Sequence, residues 1–285
     1  MIVGRNSEAY CAAPSIGACG GRNTANTPIA PYKLFTDERI GMFTTDGHLP
    51  ALTAAVLARL RTRAPRVQCL TNTVAQQITA NVLLALGARV SMATHPDEVV
   101  AMTAGADALL INLGTLDTAR QEAIPRLLAD PRVSAKPRVL DPVFVEHSPL
   151  RMALALQVVA AGPLIVKGNA TELAALDLAP EIVRAETGPV DRITGRGRQI
   201  QIANGHPWMA EVTGLGCAAG AAIAAFAAVE NDPVHASAAA LLAFGVAGEL
   251  AAAASRGPGS FAVAFIDALT SLTTADLTKT ARITH

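Results

Sequence analysis

Thr213-Gly214-Leu215-Gly216-Cys217 leads without a break into an apolar run of small residues, Ala218 to Glu230. Two glycines let the backbone turn tightly and approach a ligand, and a helix starting there offers unpaired N–H groups and a positive dipole end. That is a seat for an anion. Cys217 falls in or beside the first helical turn, where the same field favours a thiolate and is expected to lower the thiol pKa. A Gly-rich turn carrying a buried structural cysteine would be spelled the same way, so the surroundings decide.

Those surroundings are α/β. From Leu49 onward short β-prone runs alternate with longer helical ones, the pattern of a mostly parallel central sheet with helices on both faces. Strands are expected at Arg66–Leu70, Arg89–Met92, Ala108–Asn112, Arg138–Leu140, Leu164–Val166 and Ile182–Glu186. Helices are expected at Pro50–Thr62, Val74–Leu86, Pro96–Ala104, Asp117–Leu128 and Leu150–Ala160. Asp191–Thr194 and Gln199–Ala203, joined by Gly195-Arg196-Gly197, read as a hairpin, and the rest reads as helical.

A chain of 285 residues, 51% hydrophobic and 16% charged, can bury a large core, and aromatics at 4% suit closely packed helices on a parallel sheet better than a β-sandwich. Residues 1–44, rich in Gly, Pro, Ala, Thr and Asn without a sustained period, are expected to form a disordered extension, with Met42 as the natural start and 45–285 as one domain. Lys plus Arg and Asp plus Glu both number 23 and no long basic run occurs, which argues against a nucleic acid or a membrane surface as partner. Cys11, Cys19, Cys69 and Cys217 form no close pair, so reduced thiols in a cytoplasmic protein are expected. Ala236 to Ala254, interrupted by Gly245, Gly248 and Glu249, reads as a core helix rather than a membrane span. The N-terminal letters show neither a basic n-region nor an unbroken apolar h-region.

In open parallel sheets ligands sit beyond the carboxyl ends of the strands, so the residues that follow each run carry the functional interest. These are Thr71 and Asn72, Met92, Asp141-Pro142, and Lys167-Gly168-Asn169 with Glu172 one turn later. Carboxylates to hold Mg²⁺ or its waters, a cation for nucleotide phosphates and backbone N–H groups where charge develops are the set that phosphoryl transfer needs. Each has a structural alternative. Asp141 could cap the segment after its strand, Asn169 and Glu172 could form a capping box, and Met92 could be core.

Several segments together resemble the hydroxyethylthiazole kinase family, enzymes of thiamine salvage with the ribokinase-like fold. They are Cys69-Leu-Thr-Asn-Thr-Val, Thr79-Ala-Asn-Val-Leu-Leu-Ala-Leu-Gly87, Ala108-Leu-Leu-Ile-Asn-Leu-Gly-Thr-Leu116, Leu140-Asp-Pro-Val143, Gly168-Asn-Ala-Thr-Glu172, Asn204-Gly-His-Pro207, Val212-Thr-Gly-Leu-Gly-Cys217 and Gly257-Pro-Gly-Ser-Phe261. The resemblance covers about residues 45 to 275. It implies transfer of the γ-phosphate of ATP to the alcohol of 4-methyl-5-(2-hydroxyethyl)thiazole, with Cys217 as the base. It places Met92, Gly214 and Asn72 at the thiazole, Lys167 and Thr187 at ATP, Asp141 and Glu172 at Mg²⁺, and the chain in a homotrimer with sites at subunit interfaces.

Three departures accompany the resemblance. Lys167 stands where relatives usually have Arg, keeping the charge but losing the bidentate fork, which implies weaker ATP binding. Phe144-Val-Glu-His-Ser-Pro149 replaces a glycine-rich loop. Only fourteen residues separate Glu172 from Thr187, so a longer covering segment of the relatives is expected to be missing. A kinase of a hydroxymethylpyrimidine or pyridoxal-type alcohol, and a degenerate protein that binds thiazole or nucleotide without turnover, are the alternatives.

Overall fold

The computed structural model describes residues 48–162 and 165–284; the expected N-terminal extension and the start of the strand placed at Leu164 lie outside them. Nine strands form one sheet in the order β2-β1-β3-β4-β5-β6-β7-β8-β9. They are β1 (Arg66–Leu70), β2 (Arg89–Ser91), β3 (Ala108–Asn112), β4 (Arg138–Asp141), β5 (Ile165–Gly168), β6 (Val183–Glu186), β7 (Asp191–Gly195), β8 (Arg198–Ile202) and β9 (Ile283–Thr284). The first six pair in parallel and the last three are added antiparallel.

Two apolar layers cover the sheet. On one face the side chains of Val67, Leu110, Val139, Ile165, Val183 and Ile193 join a core with α1 (Leu49–Arg63), α2 (Gln76–Leu86), α9 (Leu215–Ala227), α10 (Pro233–Ala253) and α11 (Pro258–Ser271). On the other, Leu109, Ile111, Leu140 and Val166 meet α3 (Val99–Ala104), α4 (Thr118–Ala129), α5 (Pro131–Ser134), α6 (Pro149–Ala160) and α7 (Ala170–Ala174). Helices α8 (Trp208–Glu211) and α12 (Thr274–Thr280) complete the described fold. Alternation along each strand sends successive residues to opposite layers, which is why parallel strands buried on both faces read as unbroken apolar runs.

Most expected elements form, with boundaries set by local chemistry. Asp117 caps α4 by accepting from the Arg120 N–H, Ser148 caps α6 ahead of Pro149, and Asp232 caps α10 ahead of Pro233. The hairpin closes through a two-residue turn, Arg196-Gly197, both at positive φ, with Gly195 paired to Arg198 as part of β7. Several details differ from the sequence expectation: β4 and β5 run on to Asp141 and Gly168, and the short helices α5 and α7 are additional. β2 ends at Ser91, so Met92 lies just past it; α3 starts at Val99 because His95-Pro96 precedes it in turns; residues 73–75 form a 3₁₀ turn ahead of α2; and the C-terminal stretch ends in a strand, β9, rather than in helix. Helix α10 has the length and apolarity of a membrane span but is mostly buried in the core.

Candidate active site

The site follows from strand parity. On the face shared with α9, each of four adjacent parallel strands ends with an apolar residue followed two positions later by a polar one. Leu110 leads to Asn112, Val139 to Asp141, Ile165 to Lys167, and Ala185 to Thr187 just beyond β6. Asn112 and Asp141 are register partners, as are Lys167 and Ala185. A polar row therefore runs across the carboxyl ends of these strands, and the start of α9 lies over it.

Gly214 makes that approach possible. It caps α9 at φ 83°, and a Cβ there would stand 2.9 Å from the Cα and Cβ of Ala75 and from Cγ2 of Ile78. Only glycine satisfies both the backbone angle and the contact. Gly216 is different: its nearest neighbour outside the helix is the Lys167 Nζ, 4.0 Å from where a Cβ would be. The ammonium thus lies directly under the anion seat.

A hydrogen-bonded chain links the row to the cysteine. Asn72 Nδ2 donates to Cys217 Sγ at 2.9 Å and to Asn112 Oδ1 at 3.4 Å, and Asn112 Nδ2 donates to Asp141 Oδ2 at 2.8 Å. Lys167 Nζ pairs with the same Asp141 oxygen at 3.5 Å, while Asp141 Oδ1 is buried without a partner. Burial, reinforced by the neighbouring Glu172, pushes the Asp141 carboxyl up to about 6 even though Lys167 and Asn112 pull it down. Burial alone would depress Lys167, but the charges around it, Asp141 foremost, outweigh that and hold the ammonium above its ordinary pKa.

The Cys217 thiol does not follow the sequence expectation. Burial, then the charge of Asp141, raise its pKa; Lys167 and the hydrogen bond from Asn72 oppose this without reversing it. Desolvation of a thiolate outweighs the field of the helix start.

Glu172 shows the capping geometry in full. Its backbone N–H donates to Asn169 Oδ1 at 2.9 Å, its Oε2 accepts from the Asn169 N–H at 2.8 Å, and its Oε1 accepts from the Phe144 N–H at 2.9 Å. The capping-box alternative therefore holds, and the carboxylate is also close enough to act on Asp141. Phe144 makes its contact from a left-handed conformation, φ 55°, with its ring largely exposed.

Beside this cluster opens a cavity of about 560 Å³, bordered by Thr187, Asp191, His206, Gly216, Leu241 and Phe244. Its volume suits a nucleotide-sized ligand, and its walls combine apolar side chains with a few polar groups. The wall at Asn204-Gly205 is clipped by Glu249 of α10, which accepts from Asn204 Nδ2 at 3.0 Å and from the Gly205 N–H at 2.9 Å and also pairs with Arg282. Asp191 opens β7 in the same strand parity as Ile193, and burial pushes its carboxyl up to about 6.

The residues singled out in the sequence are distributed unevenly. Asn72, Asp141, Lys167 and Cys217 converge, Gly214 sets the turn above them, Glu172 borders them, and Thr187 lies on the cavity with its N–H donating to Gly168 O at 2.8 Å. Met92 stands apart, half-buried past the edge strand β2, with β1 between β2 and β3. Sequence reading missed Asn112 as a site residue, although its parity with Leu110 marks it, and Asp191, which no sequence signal distinguishes from an ordinary hairpin residue.

The sheet order and two-layer helix arrangement define a ribokinase-like α/β fold. The sequence pattern of the Hydroxyethylthiazole kinase family matches residues 57–184 and 178–275, and the chain belongs to that family. A protein of Agrobacterium fabrum named "Probable hydroxyethylthiazole kinase" is 46% identical over 235 residues, covering 82% of this chain and 96% of the relative. A hydroxyethylthiazole kinase of Granulibacter bethesdensis is 44% identical over 256 residues, covering 81% and 93%. The solved structure of a hydroxyethylthiazole kinase protein from Pyrococcus horikoshii OT3 superposes with a TM-score of 0.77 at 33% identity, covering 82% of this chain and 98% of that one. The Granulibacter alignment spans 256 positions yet uses 81% of 285 residues, about 231, so about 25 of its positions have no counterpart here; the Agrobacterium alignment leaves no such gap. The two matched segments overlap at 178–184, within the stretch between Glu172 and Thr187.

Proposed function

We propose that this chain transfers the γ-phosphate of ATP to the primary alcohol of 4-methyl-5-(2-hydroxyethyl)thiazole, the reaction by which thiamine salvage phosphorylates the thiazole. The carrying observation is the convergence of Asp141, Lys167 and Cys217 beneath the start of α9, beside a nucleotide-sized cavity, in a chain of this family.

ATP occupies the cavity with Thr187 at its border and its terminal phosphate toward Lys167. The Gly216 and Cys217 N–H groups belong to the helix turn that cannot satisfy its own donors, and with the Lys167 ammonium they face the charge that develops on the transferred group. The thiazole alcohol lies against Cys217, with Gly214 and Asn72 beside it. Phosphoryl transfer is loose, so positioning and charge stabilisation carry most of the rate; the alcohol proton passes late to the Cys217 thiolate, the minor form at neutral pH, which becomes the thiol.

Asp141 and Glu172 fit a Mg²⁺ site. Asp141 Oδ1 is a buried acceptor with no partner, and two carboxylates plus water and phosphate oxygens are the donor set this ion takes. When bound, the ion neutralises charge on the nucleotide phosphates.

We extend the proposal to a cytoplasmic homotrimer in which a neighbour's Met92 completes the thiazole pocket. The separation of Met92 from Cys217 and the exposed Val74, Leu84 and Val263 support it.

The test is a coupled ADP-release assay with Mg²⁺, ATP and hydroxyethylthiazole beside hydroxymethylpyrimidine and a no-acceptor control. Thiazole-dependent release is the expected result. Release with the pyrimidine alone would reassign the substrate, and thiazole binding without any release would mark a degenerate binding protein, the outcome the shortened segment after Glu172 motivates.

A further inference from the structure

The segment Ala108 to Leu116 contributes no residue to the roles above, yet it carries a buried polar group of the site bonded through both its oxygen and its nitrogen. Asn112 is 1% exposed. Its Oδ1 accepts from the Gly114 N–H at 3.0 Å and from Asn72 Nδ2 at 3.4 Å, and its Nδ2 donates to Asp141 Oδ2 at 2.8 Å. Asn72 is as firmly held, since its Oδ1 accepts from the Ala75 N–H at 2.9 Å. A backbone N–H can only donate, so neither amide can be flipped: each oxygen is committed to a backbone donor, and each nitrogen faces the site. The chain therefore has one polarity. Donors point from Asn112 at the carboxylate and from Asn72 at the sulfur.

The local sequence is shaped around this pair. A Cβ at Gly114 would stand 2.8 Å from Asn72 Cβ and Nδ2 and 3.1 Å from Asn112 Oδ1, so any side chain there would push the two asparagines apart. Thr115, at φ 38°, adds a second clamp by accepting at its Oγ1 from the Thr73 N–H at 2.8 Å. Buried Arg120 of α4 donates from Nε to Thr71 O at 3.1 Å, fixing the other side of the loop that carries Asn72.

We propose that Asn112, acting through Asn72, is a positioning residue that couples the Asp141 carboxylate to the Cys217 sulfur and keeps that sulfur a hydrogen-bond acceptor on its Asn72 side. Any proton on sulfur is thereby turned away from Asn72, and the thiol is held in one orientation relative to the alcohol. The two amides tie the positions of the sulfur and the carboxylate together. The coupling rests on the kinase reading for its kinetic consequence but not for its effect on the thiol.

Asn112→Asp and Asn72→Asp test it with isosteric changes. Both retain the oxygen that receives the backbone N–H, and both replace the site-facing donor with an acceptor. With wild-type turnover in hand, kcat is expected to drop in both variants by a factor of about 30 or more, approaching the roughly 10²-fold scale of lost general acid–base assistance, with KM for thiazole within about threefold in Asn112→Asp, whose side chain does not border the thiazole. A change confined to KM, or turnover within about threefold of wild type in both variants, would overturn the proposal. Thermal melts verify folding, and Asn72→Ser serves as a second variant if either aspartate fails to fold. Iodoacetamide labelling of the Cys217 peptide, read by mass spectrometry, gives an arm independent of turnover: slower labelling in both variants is expected. If the wild type turns over no thiazole but labelling slows in the variants, the coupling stands and the substrate assignment fails. Unchanged labelling, with or without turnover, removes the coupling.

Discussion

The two glycines of Thr213-Gly214-Leu215-Gly216-Cys217 separate fold from chemistry, and alanine at each position measures the division. At Gly214 the backbone sits at φ 83°, where an L side chain costs on the order of 1–2 kcal/mol. Its Cβ would also lie 2.9 Å from Ala75 Cα, a backbone atom that cannot rotate away, and 2.9 Å from Ile78 Cγ2. Overpacking of that kind adds about 1–3 kcal/mol, so Gly214→Ala is expected to lose roughly 2–5 kcal/mol in equilibrium urea unfolding. The displaced turn carries Cys217 away from Asn72, so kcat falls as well. At Gly216 the angle is helical and the space is open up to the Lys167 Nζ at 4.0 Å. Gly216→Ala should hold or raise stability by up to about 1 kcal/mol, since alanine is the better helix former. The new methyl nevertheless stands where a phosphate meets the ammonium, so activity is expected to fall with the fold intact. Wild-type stability in Gly214→Ala, or a destabilised Gly216→Ala, would refute the account of how the turn is built.

Asp191→Asn reads the cost of a buried carboxylate. Its folded pKa of about 6 lies above the unfolded 3.8, so the folded state favours the neutral acid: the contribution is greatest below pH 3.8 and is lost as pH rises through about 6. The variant keeps an acceptor for the Gly188 N–H and should gain about 1–2 kcal/mol at pH 8, discounted for partial exposure, and little at pH 4, as melts across that range will show. Phe144→Gly should raise stability by about 1 kcal/mol, because the left-handed φ of 55° is relieved while the exposed ring gives up little packing; a loss on chemical denaturation would mean that the ring contributes more than its exposure suggests. Cys217→Ala should lower kcat on the order of 10²-fold, and because the thiol pKa is raised, wild-type kcat should climb with pH above neutrality more steeply than that of the variant. Retention of wild-type kcat would remove the thiol as base.

The architecture was legible because the strands are short apolar runs between helical stretches, and buried parallel strands need no finer signal. The strand ends were legible for the same reason: a polar residue after an apolar run marks where the sheet stops, and Asp141 and Lys167 were visible that way. Asn112 escaped because it was counted as the last letter of a strand rather than the first of its polar end. The direction of the thiol shift escaped for a different reason. A helix start can be read from glycines and spacing, whereas the burial that overrides it, and the Asp141 charge that adds to it, depend on elements brought together only by the fold. Phe144 shows the same limit, since nothing in Asp-Pro-Val-Phe announces a left-handed residue whose N–H meets Glu172.

The short stretch after Glu172 lies on one side of the sheet, and the chemistry lies on the other. The crossover from β5 to β6 consists of α7 and a coil whose Leu173, Leu176, Leu178 and Ile182 pack into the layer of α3 to α6. Beyond β5 that face carries Arg184, Glu186, Arg192, Thr194, Gln199 and Gln201, half-buried or exposed, with Arg192 paired to Glu186. A face left without a covering helix must be polar to tolerate water, and these strands alternate accordingly, while Val183, Ala185, Ile193, Ile200 and Ile202 remain apolar toward α9 and α10. The nucleotide-sized cavity belongs to this second side, bordered by Leu241 and Phe244 of α10 and by Leu215 and Gly216 of α9, and the shortened crossover contributes none of its walls before Thr187. The polar outer face of β6–β8 thus matches a crossover that leaves it uncovered, while Asp141, Lys167 and Cys217 meet on the opposite, covered layer.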